Sequence, residues 1–510
     1  MKLLSFFIGA HLAHSASEEN EMHPNTKTVV AKTWDEKEET TEFWRSFTQT
    51  TLRKNAQKEN NKSKAKNAIL LIGDGMGVPT VSAGRILDNG EAHVSNMDSL
   101  DFSGLIKTYN VDQMTPDSAG TATAYLCGVK GRANTLGVNA AVVKRDCSNI
   151  QGNTVDSVLE KAKQSGKSVG IVTTTYMQHA SPAAAYSKTA YRGWYSDKSM
   201  AEDEDLINDD CEDISMQLFK ASPNIDVIFG GGKKYLEERN DGNNFTQAWI
   251  EDEQVNIVFN KDELEKIDLA DGKRLIGFFS DSHLEYELDR LSKTNQPSLE
   301  KMTEVAIKKL SANPNGYYLF VEGGKIDHGH HAATPFRALH EWIAFDKAVG
   351  KAIELTNKNE TLISVSADHS HVFTFGGYAP RGASLFGLGA DFVDTYDNES
   401  VFVIGYGNGP GFDDYLDVNI ENGRIPDIKR TWPTAQQTDS ETHAGEDVPI
   451  FASGPWAHLL TGVNEQTLVA DVAEFALCIG NYANEEHCSS GEELARASIA
   501  IWLSIILYFH

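Results

Sequence analysis

Val321-Glu322-Gly323-Gly324-Lys325-Ile326-Asp327-His328-Gly329-His330-His331 follows the apolar, aromatic run Gly316-Tyr317-Tyr318-Leu319-Phe320. The run reads as a buried strand, and Gly323-Gly324 supplies the turn that ends it. Two carboxylates and three imidazoles then fall within ten residues. Asp327 and His331 stand four apart, so one helical turn points both the same way. A carboxylate oxygen beside an imidazole nitrogen suits zinc, and three protein ligands with one open position is the catalytic form of such a site. The plainer alternative is an exposed histidine-rich loop, and the rest of the chain decides between the two.

Three more apolar runs end in residues of the same chemistry. Ala68–Gly73 leads into Asp74-Gly75-Met76-Gly77 and a helical stretch from about Thr80. Val169–Thr174 leads to His179-Ala180-Ser181-Pro182, and Thr361–Ala367 to Asp368-His369-Ser370-His371. Open α/β sheets place the carboxyl ends of their parallel strands on one edge, where sites are built. Asp74, His179, Glu322, Asp368 and His369 can therefore converge, with Asp327, His331 and the later His443 close behind. Ser118, in Asp117-Ser118-Ala119-Gly120-Thr121, falls near a helix start, beside free N–H groups and the positive end of the helix dipole. A serine there is commonly just an N-cap. As a nucleophile it needs an activator, and with no Ser-His-Asp pattern nearby a metal is the candidate. Arg192 has the planar fork that suits phosphate.

The fold class expected is α/β, a large and mostly parallel central sheet flanked by helices. Helical spacing is read over 155–164, 212–220, 298–310, 336–356 and 465–477, while the charged, glycine-rich stretch 230–272 reads as surface. Residues 18–66 form an N-terminal helical arm and linker, with Phe43, Trp44, Phe47 and Leu52 at roughly helical spacing and a capping box at Thr33 to Glu36. The catalytic domain spans 67–488, with a glycine-rich, crown-like insertion over 375–442. At 510 residues the chain can bury a large core, and its formal charge of −27 excludes nucleic-acid binding through a basic face. Any anion site must be locally positive.

Residues 1–17 have the charged start, short apolar run and small residues of a signal peptide. At the other end, Ser489-Ser490-Gly491, a polar spacer and a hydrophobic tail form a GPI-anchor signal over 489–510, with Ser489 as the attachment residue. A transmembrane helix is the alternative, but the tail is short of the about 20 apolar residues a span needs. The expected location is the extracellular face of the cell membrane. Among five cysteines, Cys478 and Cys488 can close a small loop and Cys147 and Cys211 a longer one, leaving Cys127 free. Asn61, Asn244, Asn359 and Asn398 lie in glycosylation sequons.

Gly73–Gly77, Asp117–Thr121, Val321–Gly324, Asp327–His331, Ala367–His371 and Thr442-His443-Ala444-Gly445-Glu446 resemble the motifs of animal alkaline phosphatases. The similarity runs from about Asn67 to Cys488. It implies hydrolysis of phosphate monoesters through a covalent phosphoserine, with broad leaving-group tolerance and an alkaline optimum. It also implies two zinc ions and one magnesium ion per subunit of a homodimer. By resemblance, Asp327, His331 and His443 hold one zinc, and Asp74, Asp368 and His369 the other. Asp74, Ser181 and Glu322 match the magnesium site, Ser118 the nucleophile, and Arg192 the phosphate clamp. Asp117, His179 and His328 lie near these sites. Relatives carry a calcium-type site at a Phe-Glu step where this chain has Phe279-Ser280, which places calcium binding in doubt. A phosphodiesterase or sulfatase would share the two-metal frame, but Cys127-Gly-Val-Lys-Gly131 is not the modifiable sulfatase motif. An anchored receptor that had lost activity would not need intact ligands at every matched position.

Overall fold

The computed structural model describes residues 34–207, 211–387, 389, 402–412 and 430–489. The expected signal peptide, the start of the arm with Thr33, Asn398, much of the expected insertion and the tail after Ser489 lie outside the described residues.

The strands, in chain order, begin with β1 (Asn67–Gly73), β2 (Phe102–Lys107), β3 (Ser168–Tyr176), β4 (Val227–Gly231) and β5 (Val255–Val258). They continue with β6 (Arg274–Phe278), β7 (Tyr317–Gly323), β8 (Thr361–Ala367), β9 (Ser370–His371) and β10 (Phe373–Phe375). The last are β11 (Ile404–Tyr406), β12 (His443–Ala444), β13 (Val448–Ser453) and β14 (Gly462–Glu465). Ten of them make one sheet in the order β14-β2-β13-β8-β1-β7-β3-β4-β6-β5. Only β13 runs against its neighbours, β2 and β8; the other pairings are parallel.

A parallel sheet covered by helices on both faces buries both sides of its strands, so they read as continuous apolar runs rather than alternating ones. β7 and β8 are buried at every position, and β1 at all but its first. The helix Ser118–Cys127 is buried throughout. Its Gly120 lies where a Cβ would collide with the Asn110 side chain, and Asn110 in turn accepts the Asp117 N–H at 2.8 Å. Small residues thus let this helix sink into the core with its first turn at the sheet edge.

Several readings change. The stretch 230–272 is not all surface: β5 forms one border of the sheet, and the helix Phe245–Glu251 buries Phe245 and Trp249. Gly462–Glu465 is a strand, so the final helix starts at Leu468. The arm helix Thr41–Ala56 is capped by Thr40, whose hydroxyl accepts the Phe43 N–H at 3.2 Å, and Asp35 caps a separate 3-10 turn. Cys147–Cys211 and Cys478–Cys488 are disulfides, and Cys127 is free and buried. No helix among the described residues is long and apolar enough to cross a membrane.

Candidate active site

The four central strands β8, β1, β7 and β3 are adjacent, so their carboxyl ends deliver residues to one place. Asp74 follows β1, Glu322 is the last residue but one of β7, Asp368 and His369 follow β8, and His179 comes three residues after β3. The helix Lys325–His331 begins at the Gly324 turn and carries Asp327 and His331 on one side, with Asp327 Oδ1 and His331 Nε2 3.3 Å apart. Antiparallel pairing of β9 with β12 sets His371 opposite His443, which places His443 Nε2 3.0 Å from His331 Nε2 and 3.4 Å from Asp327 Oδ1. Gly75 has φ +71°, and a Cβ there would strike the His371 ring; only glycine lets the turn after β1 come this close.

Three overlapping groups each bring their ligand atoms within 4.8 Å of one another. They are Asp327 with His331, His371 and His443; Asp74 with Asp327 and His369; and Asp74 with His179 and Glu322. Both oxygens of Asp74, one each of Asp368 and Glu322, the Ser181 hydroxyl and His179 Nδ1 are buried without hydrogen-bond partners. Unpaired buried carboxylates are costly. Burial first, then mutual repulsion, raises Asp74 well above the ordinary carboxylate range and raises Asp368 as well. Burial pushes Glu322 up to about 7 against the hydrogen bonds of Thr173 and Thr175. Burial also opposes ionisation of Asp327, but His331, His371 and His443 outweigh it and hold its carboxyl well below the usual range. Oxygen and imidazole donors that are buried, crowded and unpaired are the donor set that divalent cations satisfy.

Ser118 opens its helix with Asp117 as N-cap, the Asp117 carboxylate accepting the Ala119 N–H at 2.9 Å. Ser118 Oγ lies 3.1 Å from His369 Nε2, a serine–histidine contact absent from the local sequence because 250 residues separate the partners along the chain. His369 Nε2 is itself 3.2 Å from Asp368 and 3.5 Å from Asp74. Arg192 is held at both ends of its fork: Nη1 donates to Asp117 at 2.7 Å and Nη2 to His179 Nε2 at 3.0 Å. Burial works against the Asp117 carboxylate, but Arg192 and the N–H groups of Asn134 and Ala119 keep it below the ordinary range.

The structure gathers at this edge Asp74, Ser118, Ser181, Arg192, Glu322, Asp327, His331, Asp368, His369 and His443, with Asp117, His179 and His328 around them. Two histidines escaped the sequence reading. His371 reaches Asp327 with Nε2 at 2.8 Å while Nδ1 meets Glu441; its place two residues after His369 in extended chain was the available signal. His283 stacks on Tyr176 at 3.5 Å and stands 4.4 Å from His328, with no motif to betray it.

A serine that opens a buried helix beside a buried carboxylate–imidazole cluster, on the carboxyl edge of a mostly parallel sheet, is the arrangement of a metal-dependent hydrolase of the α/β class. A family model described as alkaline phosphatase matches residues 65–479. The chain is 44% identical over 474 residues to an alkaline phosphatase of Gadus morhua, covering 87% of this chain and 98% of that one. It is 45% identical over 486 residues to the tissue-nonspecific isozyme of Rattus norvegicus, covering 89% and 91%. Among solved structures, the alkaline phosphatase of Thermus thermophilus superposes with a TM-score of 0.61 at 21% identity, over 83% of this chain and 93% of that one. That of the Antarctic bacterium TAB5 gives 0.59 at 22% identity, over 82% and 100%. The chain belongs to the alkaline phosphatase family.

Proposed function

We propose that this edge hydrolyses phosphate monoesters through Ser118. The observation that carries the reading is the set of buried, unpaired oxygens of Asp74, Asp368 and Glu322 surrounding a serine at a helix start. Asp327, His331 and His443 suit one zinc ion, Asp74, Asp368 and His369 a second, and Asp74, Ser181 and Glu322 a magnesium ion. Cations bound there supply charge that lowers the pKa of a serine hydroxyl and offsets negative charge on the phosphate. Arg192, pre-aimed by Asp117 and His179, donates to the phosphate oxygens, and the positive end of the helix dipole at Ser118 adds to that hold. Ser118 Oγ forms a bond to phosphorus as the bond to the ester oxygen breaks and the alcohol leaves. Water then cleaves the Oγ–phosphorus bond, releasing phosphate and restoring the hydroxyl. Contacts concentrate on the phosphate, so alcohols of many kinds are accepted. Hydrolysis of a chromogenic monoester, measured with elemental analysis before and after chelation, tests this. Activity should fall with loss of the metals and return with zinc and magnesium; full activity in metal-free protein would sink it.

The surrounding readings rest on sequence and surface. Trp44 is 49% and Phe47 60% exposed, packed against each other on the arm helix. Arg381, at the foot of the insertion, reaches Glu38 of the arm. Together these make a face suited to a second copy of the chain, giving a homodimer. Secretion, glycosylation at Asn61, Asn244, Asn359 and Asn398, and a lipid anchor at Ser489 follow from the sequence signals. Release of activity from intact cells by a phosphatidylinositol-specific phospholipase is the expected sign of the anchor; activity freed only by detergent would refute it.

A further inference from the structure

At the edge of the sheet opposite Ser118, where β1, β3 and β7 begin, an open pocket of about 480 Å3 is lined by Lys64, Lys66, Lys167, Ser165, Asn315 and the segment Leu477–Ile479. No lining residue is acidic. Strands of seven to nine residues at about 3.3 Å per residue put roughly 20 Å between this pocket and the catalytic edge.

Lys167 is only 6% exposed. Its Nζ donates to the carbonyls of Lys66 and Asn315, both at 2.8 Å, and an ammonium has a third donor to give. Neutral carbonyls leave its charge unbalanced. Burial, and then the charges of Lys64 and Lys66, lower Lys167 to about 8; no carboxylate offsets them. Among the described residues none of the three lysines takes part in an ion pair. In a chain of net charge −27, three uncompensated ammonium groups around one concavity are a local reversal of sign. A compact anion with several acceptor oxygens would relieve their repulsion and take up the open donors.

We propose that this pocket is a second, non-catalytic site for a phosphate group. The group has two sources: free inorganic phosphate, or the headgroup of a membrane phospholipid. The second source has geometric support, since Cys478 and Ile479 in the pocket wall begin the loop closed by the Cys478–Cys488 disulfide, just before Ser489. The proposal does not depend on Ser118 chemistry.

Amine-acylation footprinting of the intact, metal-loaded protein, read by mass spectrometry, tests it. The probes are sodium phosphate and vesicles of phosphatidylcholine with or without phosphatidylinositol. Occupancy should slow acylation of Lys64, Lys66 and Lys167 by about threefold or more, the equivalent of roughly 0.7 kcal/mol, while Lys198 and Lys261 keep their rates. Protection by phosphate alone identifies the free anion; protection only by phosphatidylinositol vesicles identifies the headgroup. The exposed double variant K64Q/K66Q should abolish protection of Lys167, or sedimentation with vesicles, and hydrolyse a chromogenic monoester at the unaltered rate. Unchanged acylation with every probe, or slowing that extends equally to Lys198 and Lys261, would overturn the proposal.

Discussion

Ser118 owes its chemistry to position. Its hydroxyl has the same intrinsic character as every other serine hydroxyl, yet here it opens a fully buried helix, capped by Asp117 and 3.1 Å from His369. Replacing it by alanine removes one oxygen and leaves the proposed metal ligands in place. Ser118→Ala should therefore lower turnover by at least about a thousandfold with metal content unchanged. Acid quenching of the wild-type protein during turnover of labelled phosphate ester should leave label on the Ser118 peptide. Near-normal turnover of the variant would show that another group attacks phosphorus. At this scale most of the site was legible, because each residue stood at the end of an apolar run or in a dense motif. His371 was visible within such a motif but had no assigned part. His283 was invisible, since a ring that stacks on Tyr176 leaves no trace in local spacing. The Ser118–His369 contact was hidden for the same reason: it exists only once the start of the helix Ser118–Cys127 meets the end of β8.

Arg239 governs the behaviour of an element. Its side chain is wholly buried and ties the segment after β4 to the start of the helix Ile214–Ala221. It grips both oxygens of Asp213 at 2.7 and 2.8 Å, and Asp241 at 2.7 Å. Asp213 also caps the helix Ile214–Ala221 through the Met216 N–H. Removing one partner from a buried pair leaves the other charge stranded, at about 3–5 kcal/mol, so Arg239→Met should unfold at clearly lower temperature near neutral pH. Hydrogen bonding to Arg239, foremost, lowers Asp241 to about 2. A depressed carboxylate contributes stability above its unfolded value, near 3.9, and loses it as pH falls through the folded one. The gap in melting temperature between wild type and variant, both metal-free, should therefore narrow between about pH 5 and pH 2. Thermal denaturation by circular dichroism measures it; a gap independent of pH would contradict the electrostatic account. Element by element, the sequence disclosed the central strands and concealed the peripheral ones. β1, β7 and β8 are buried along nearly their whole length and mostly apolar, because helices cover both faces. β2 is largely exposed or half-buried, β14 is a four-residue Gly-Val-Asn-Glu run, and β5 is equally short. Short and polar strands are how sheets blunt their margins, and that composition resembles loop.

For the whole molecule, the arm is held to the rest of the chain by the Arg381–Glu38 ion pair and leaves its aromatic face open among the described residues. Phe43 stacks on Phe47 and Trp44 meets both edge-on, yet the helix Thr41–Ala56 has no buried residue. Deleting residues 18–60 should weaken self-association, moving the protein toward monomer in sedimentation velocity at dilute concentration. A shift of tenfold or more in the dimer dissociation constant corresponds to about 1.4 kcal/mol, modest for an aromatic face. An unshifted dimer would place the contact elsewhere.

The position of β1 also carries a consequence for how the protein is made. β1 is the earliest of the described strands in the chain and one of the innermost, and its neighbours are β7 and β8: Ala68 pairs with Tyr318 on one side and Leu362 on the other. At typical elongation speeds, Ala68-Ile-Leu-Leu-Ile72 must wait on the order of tens of seconds before either neighbour emerges from the ribosome. Through that interval an apolar ribbon with both hydrogen-bonding margins open is a natural client for chaperones and a hazard for self-association. The His443 side chain arrives later still, so cation uptake belongs to the end of biogenesis. Cellular yield should consequently respond to chaperone supply before it responds to supply of the proposed metals.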